Sequence, residues 1–177
     1  VNDKVKDKDK DKDKDKDTDK DNLSTSFCLG LRLRIRIYIM PKRVNKAVEL
    51  LSQDQPIYYT GSHTGANLTY EAGKAMSKTW ADYINVGFEH GLFDLIGLDN
   101  FMRGLADGGP TNSGHQTPAV VIEIPVNGTS AAAIQANDWQ FRQLLARGVH
   151  GLLLCHAENP EAVKTFVEYC RYPFQKI

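Results

Sequence analysis

The chain has 177 residues, with 22 Lys plus Arg balanced by 22 Asp plus Glu and 41% hydrophobic residues, a length suited to one ordinary domain. No basic stripe with interleaved aromatics gives nucleic-acid binding a footing, and no apolar run reaches the length of a membrane span. Cys28, Cys155 and Cys170 are widely spaced and form no CxxC pair, so the expectation is a reducing, cytoplasmic setting without zinc finger or redox dithiol.

These averages conceal an abrupt change. Residues 3–21 read "DKVKDKDKDKDKDKDTDKD", too poor in apolar groups to offset the entropy of ordering, so a disordered tail is expected. With alternating charges and no apolar stretch followed by a cleavage site, this N-terminus is not expected to act as a signal peptide. Residues 28–39, "CLGLRLRIRIYI", alternate apolar and basic, the pattern of an amphipathic strand with Arg32, Arg34 and Arg36 on one face. The preferred reading is an extension outside the domain, because the chain starts with Val and Met40 followed by Pro-Lys-Arg resembles an ordinary start. If that strand persists, its apolar face is an aggregation hazard. Residues 1–39 are therefore separated from a globular part, 40–177.

From Met40 the elements alternate. "VNKAVELLS" (44–52) has helical spacing, with Val44, Val48, Leu50 and Leu51 as its apolar face. "PIYYTGS" (56–62) predicts a strand, "TYEAGKAMSK" (69–78) a helix, and "ADYINVGF" (81–88) a second strand. "DLIGLDNFMRGLADGG" (94–109) predicts a helix with Asp94 as N-cap and a Gly-Gly-Pro stop. A loop, "DGGPTNSGHQTP" (107–118), leads to the strand "TPAVVIEIPV" (117–126), and His115 in that loop is expected to be exposed. "ANDWQFRQLLARG" (136–148) predicts a helix capped by Asn137 or Asp138, with Arg142 and Arg147 on its solvated face. "VHGLLLCHA" (149–157) has the continuous apolar centre of a strand buried on both faces. "NPEAVKTFVEYCRY" (159–172) opens with an Asn cap and Pro at the first helical position. One helix followed by four β-α units argues for a parallel sheet, either half of a (β/α)8 barrel or a small doubly wound sheet. No GxGxxG or P-loop follows the first strand, which weighs against nucleotide binding. The chain ends at "RYPFQKI" just after a helix, and it reads as interrupted there.

Ligands collect at the carboxyl ends of parallel strands. Ser62 and His63 follow the first strand, and Glu89 and His90 the second. Glu123 lies near the end of the third, and Cys155 and His156 end the fourth. Three histidines on separate strand ends can converge on one mouth, where an adjacent carboxylate fixes an imidazole's tautomer. Read as isolated residues, an exposed His near a turn is more simply solvated, and Glu89-His90 divides evenly between polar turn and acid–base site. Cys155 and His156, neighbours on a strand, should point to opposite faces, which leaves Cys155 as a small buried residue.

The run "ADYINVGFEHGLFDLIGL" resembles the signature of the HpcH/HpaI aldolase/citrate lyase family, a strand ending in Glu-His and a small residue. "RQLLARGVHGLLLCHAENPEAVKTFVEYCRYPF" resembles the family's next signature, a "QLLD-G--G-L-P-V" strand followed by a helix and "RYPP" or "RYPF". "PIYYTGSHTGANLTYEAG" is similar to its first strand and helix, so the resemblance covers Pro56 to Phe174. It implies a (β/α)8 barrel, here as about four β-α units of its leading half. The implied chemistry is cleavage of a 4-hydroxy-2-oxo acid to pyruvate, or a related 2-oxo acid, and an aldehyde. It also implies a divalent metal (Mg2+, Mn2+ or Co2+) and a homo-oligomer. His90 matches the catalytic base and Glu89 its neighbour, with Ser62, His63, Glu123 and His156 as substrate-binding candidates. Family metal ligands are expected beyond Ile177, so no metal ligand or cofactor is expected within this chain, and little or no activity for it alone. The sequence departs from the pattern twice. Gly87 stands where members carry Asp, and Glu123 stands where members carry a carboxylate-binding Arg, whose substitute could be Arg142. The alternative is a non-catalytic half-barrel that binds another chain.

Overall fold

The computed structural model describes residues 43–172. The expectations for residues 1–39, a disordered repeat and a basic strand, fall outside that range. The elements follow chain order as α1 (Lys46–Ser52), β1 (Tyr59–Ser62), α2 (Tyr70–Met76), β2 (Tyr83–Gly87), α3 (Leu95–Gly108), β3 (Ala119–Asn127), α4 (Ala131–Leu145), β4 (Gly151–Cys155) and α5 (Pro160–Tyr169). The four strands form one parallel sheet in the order β1-β2-β3-β4. Every crossover thus steps to the next strand in the same direction. Because such crossovers share one hand, the helices following the strands lie on one face of the sheet.

The burial pattern agrees with that geometry. Ile84, Val86, Val120, Ile122 and Ile124 alternate toward the helices and join Leu98, Phe101, Leu105, Ile134, Phe141, Leu144 and Phe166 in one core. Their neighbours at odd positions, Tyr59, Tyr83, Val121 and Leu153, occupy the other face. Leu153 there is 40% exposed, so the expectation that β4 is buried on both faces is overturned. A strand of five apolar residues reads as doubly buried, yet on its second face only the terminal Cys155 is covered while Leu153 stays open.

Local chemistry explains the helix starts. Asp94 accepts from the Gly97 N–H at 2.8 Å, and Asn159 accepts from Glu161 N–H at 2.9 Å ahead of Pro160, both as expected of caps. α4 begins well before the expected boundary, with Ser130 as its cap. The run Ala131–Ala133 is apolar without periodicity but has the highest helix propensity. Asn137 and Asp138 are therefore interior residues, and Asp138 instead holds Arg142 at 2.5 Å, one turn on. The apolar side of α1 is also misjudged from spacing. Ala47 is buried there, whereas Val44, Val48 and Leu51 are exposed. α2 packs on α3 and α4 on α5. Gly104 lets the first pair approach closely, since a Cβ there would lie 2.1 Å from the Tyr70 carbonyl oxygen.

At the amino end of the sheet, His115 is buried rather than exposed. Its Nε2 lies 2.5 Å from Glu49 of α1 and its Nδ1 2.8 Å from the Ser113 hydroxyl. A polar loop predicts solvent around its histidine, but α1 folds over this loop and takes the ring as its anchor. His150, just before β4, accepts the Val120 N–H on Nδ1 at 3.0 Å, and burial lowers its pKa below the usual histidine value.

Candidate active site

Glu89 follows β2 directly, and the backbone at that point is pinned from the next strand. The Glu123 carbonyl accepts from both Phe88 N–H (2.8 Å) and Glu89 N–H (3.1 Å). Phe88 is sunk in the core and contacts Phe93 at 5.2 Å, and Phe93 meets Trp139 edge-on at 6.1 Å. The loop carrying Glu89 and His90 is thereby anchored by aromatic packing on one side and the Asp94 cap on the other.

Glu89 serves two imidazoles. His156 Nε2 lies 3.1 Å from one of its oxygens and His90 Nε2 3.4 Å from the other. Both histidines face solvent while Glu89 is largely covered. Glu123 serves the third: His63 Nδ1 lies 2.9 Å from each of its carboxylate oxygens. Three strand-end histidines thus converge around two carboxylates. Among the described residues no Lys or Arg forms an ion pair with either carboxylate. Arg142, the candidate substitute cation, is held by Asp138 on α4.

Cys155 belongs to this cluster. β3 and β4 are in register at Glu123↔Leu153 and again at Asn127↔Cys155, with a shift between them. Cys155, two residues after Leu153, keeps the parity of the open face. Its sulfur and one oxygen each of Glu89 and Glu123 lie within 4.8 Å of one another. Burial, a hydrogen bond to Glu89 and the two negative charges push the thiol up to about 12, so it is a protonated donor to Glu89 rather than a nucleophile. The expectation that Cys155 and His156 diverge fails for a local reason. His156 leaves the strand at φ 44°, a left-handed conformation rare for a non-glycine residue, and this turns its ring back onto Glu89.

Ser62 is not brought to the cluster. It pairs with Val86, which pairs with Ile122, so it lies on the helix-facing row, and its hydroxyl meets Thr64 at 3.0 Å. Gly87, by contrast, is explained by what approaches it. A Cβ at that position would lie 2.0 Å from the His63 carbonyl oxygen, so the end of β1 fills the space that a side chain would take. Sequence reasoning passed over Tyr59 as a member of this face and set Cys155 aside as a small buried residue, which it is. The signal for Tyr59 was its period-two relation to His63, and for Cys155 its parity with Leu153.

No protein-family model, curated protein or solved structure matches the chain. Among the described residues no helix is long and apolar enough to cross a membrane.

Proposed function

We propose that this chain carries the acid–base part of a carbon–carbon lyase site that cleaves a 4-hydroxy-2-oxo acid to a 2-oxo acid, pyruvate or a relative, and an aldehyde. In this reading the sheet is the leading half of a (β/α)8 barrel, since four consecutive β-α units wound in one direction are the repeat from which such barrels are built. The observation that carries the reading is Glu89 bridging His90 and His156 at the carboxyl end of the sheet. The resemblance of the Glu-His motif to the HpcH/HpaI aldolases agrees with it.

The carboxylate of Glu89 orients His90 through Nε2, which leaves the other ring nitrogen to act as base. That nitrogen takes the substrate's hydroxyl proton. The bond between the carbinol carbon and the neighbouring methylene carbon then breaks. Its electron pair forms the enolate of the 2-oxo acid, and the carbinol carbon leaves as the aldehyde. A proton returned to the enolate carbon completes the keto product. Glu123 would repel an anionic substrate if it stood alone, but His63 spans both of its oxygens and supplies the compensating hydrogen-bond donor.

A divalent ion of the kind this chemistry uses would, when bound, supply positive charge against the developing enolate. The described residues do not fit such an ion: His63 Nδ1 takes both oxygens of Glu123, His90 and His156 face the two oxygens of Glu89, and the Cys155 thiol is held protonated.

The test is pyruvate release from 4-hydroxy-2-oxo acids with Mn2+, measured on this chain and on an extended, full-barrel version carrying the same His90. No release by the full-barrel version, under conditions in which a member of the aldolase family is active, ends the lyase reading. A second reading, a half-barrel that binds another chain, is favoured by the exposed Tyr59 and Leu153 on the open sheet face. Sedimentation separates the two: a stable, compact monomer argues against the binding module.

A further inference from the structure

Three side chains of the open face have no role in the step assigned to His90: Tyr59, His63 and Glu123. Residues 59, 61 and 63 share a face at the strand period, and the absent side chain of Gly87 lets His63 lie against β2 and reach Glu123 on β3. Glu123 is buried, and both its oxygens are 2.9 Å from His63 Nδ1. The Tyr59 hydroxyl oxygen lies 3.3 Å from His63 Nε2, the two rings standing edge to face at 6.2 Å. Tyr59 is steadied from behind by stacking on Tyr83 at 5.2 Å, whose own hydroxyl pKa is raised by burial first and by the nearby Glu123 carboxylate.

A nitrogen set between two carboxylate oxygens must be a donor. A neutral imidazole has one N–H, so Nε2 is then the acceptor, and the Tyr59 hydroxyl is positioned to donate to it. We propose that Tyr59, His63 and Glu123 form a hydroxyl–imidazole–carboxylate relay, in which Tyr59 is the acid–base group offered to a ligand on the open face of the sheet. The logic is general: a buried carboxylate fixes the imidazole tautomer, and the far nitrogen then controls a hydroxyl proton.

The donating step balances. His63 begins protonated on both nitrogens, donating through Nε2–H to the Tyr59 oxygen, with the phenol hydrogen turned to the ligand. The Tyr59 O–H bond breaks as that hydrogen bonds to an anionic centre of the ligand. The Nε2 proton passes to the Tyr59 oxygen, leaving an intact phenol and a neutral ring. One positive and one negative charge are discharged together. The ligand class is therefore a compound that develops a carbanionic or enolate centre. The relay rests on the lyase reading only for the identity of that centre as the enolate carbon of a 2-oxo acid. It shares no carboxylate with the His90 device, which uses Glu89.

The tautomer of His63 in the full chain tests this, read from imidazole 15N resonances at a pH well above the histidine range and assigned by their disappearance in His63→Gln. The expected neutral ring carries its proton on Nδ1, whereas a solvated histidine favours Nε2–H. Tyr59→Phe, at a half-exposed position, should keep the Nδ1 proton and shift the Nε2 resonance toward an acceptor that has lost its donor. A proton on Nε2 in the wild type overturns the relay, and so does an Nε2 resonance that Tyr59→Phe leaves in place. The measurement needs no turnover. A full-barrel version that shows the relay but fails to exchange the methyl hydrogens of pyruvate with deuterated solvent would thus sink the lyase reading alone.

Discussion

Both ends of the sheet hold a histidine against a glutamate, and the two arrangements are inverted. At the amino end the ring is the buried partner, His115 at 4% exposure, while Glu49 is 39% exposed. At the carboxyl end the carboxylate is buried, Glu123 at 8%, while His63 is 58% exposed; Glu89 with His90 and His156 repeats that pattern. A buried ring with a solvated acid is a staple: it ties α1 to the loop before β3 and presents nothing to a ligand. A buried acid with solvated rings has the form of an acid–base device, because the carboxylate sets orientation and tautomer while the rings stay open to a ligand. Residue type alone does not separate staple from device; which partner is desolvated does.

The largest expected effect breaks the carboxyl-end side of that contrast. If the lyase reading holds, His90→Gln in a full-barrel version of this domain should lower kcat by about 10²–10⁴-fold, the usual contribution of a positioned general base, with the unfolding free energy within about 0.5 kcal/mol of wild type. Equal activity in the variant would remove His90 from the mechanism. His115→Ala should do the reverse: it should destabilise by about 1–3 kcal/mol in denaturant unfolding, the range for losing a buried hydrogen-bonded group, and leave kcat unchanged. A loss of activity without a loss of stability would collapse the distinction between the two ends.

Gly87→Ala sharpens the geometry, since its Cβ would meet the His63 carbonyl. We expect a cost of about 1–3 kcal/mol from overpacking, together with altered His63 resonances, both measurable on the same sample.

Two pH effects are smaller. Cys155, pushed to about 12, and Cys170, raised by burial to about 11, both start from 9.0. The folded state therefore keeps thiol protons that the unfolded chain releases, and stability is present in full below pH 9 and is lost as pH rises toward 11–12. Cys155→Ala and Cys170→Ala should each flatten this alkaline decline. His150 acts in the opposite sense. Its folded pKa lies below 6.5, so the unfolded chain binds the extra proton, and stability falls as pH drops through and below 6.5. His150→Gln should shrink that acid loss, and an unchanged acid limb in urea titrations would show that His150 is not its source.

How much was legible follows from range. Element order and type, the caps at Asp94 and Asn159, and the strand-end positions of His63, Glu89, His90, Glu123 and His156 depend on periodicity and on groups within a few residues of one another. These are properties that a linear sequence carries. The start of α4 was missed because three alanines have propensity but no pattern. Tertiary structure alone decided the rest. The open face of β4, the burial of His115 under α1, the turn that aims His156 at Glu89, and the register shift that places Cys155 beside two carboxylates all depend on what lies across the sheet. Gly87 is the clearest case. In the sequence it is a missing side chain, and in the fold it is the space through which His63 reaches Glu123, because desolvation and close approach are set by neighbours distant in the chain.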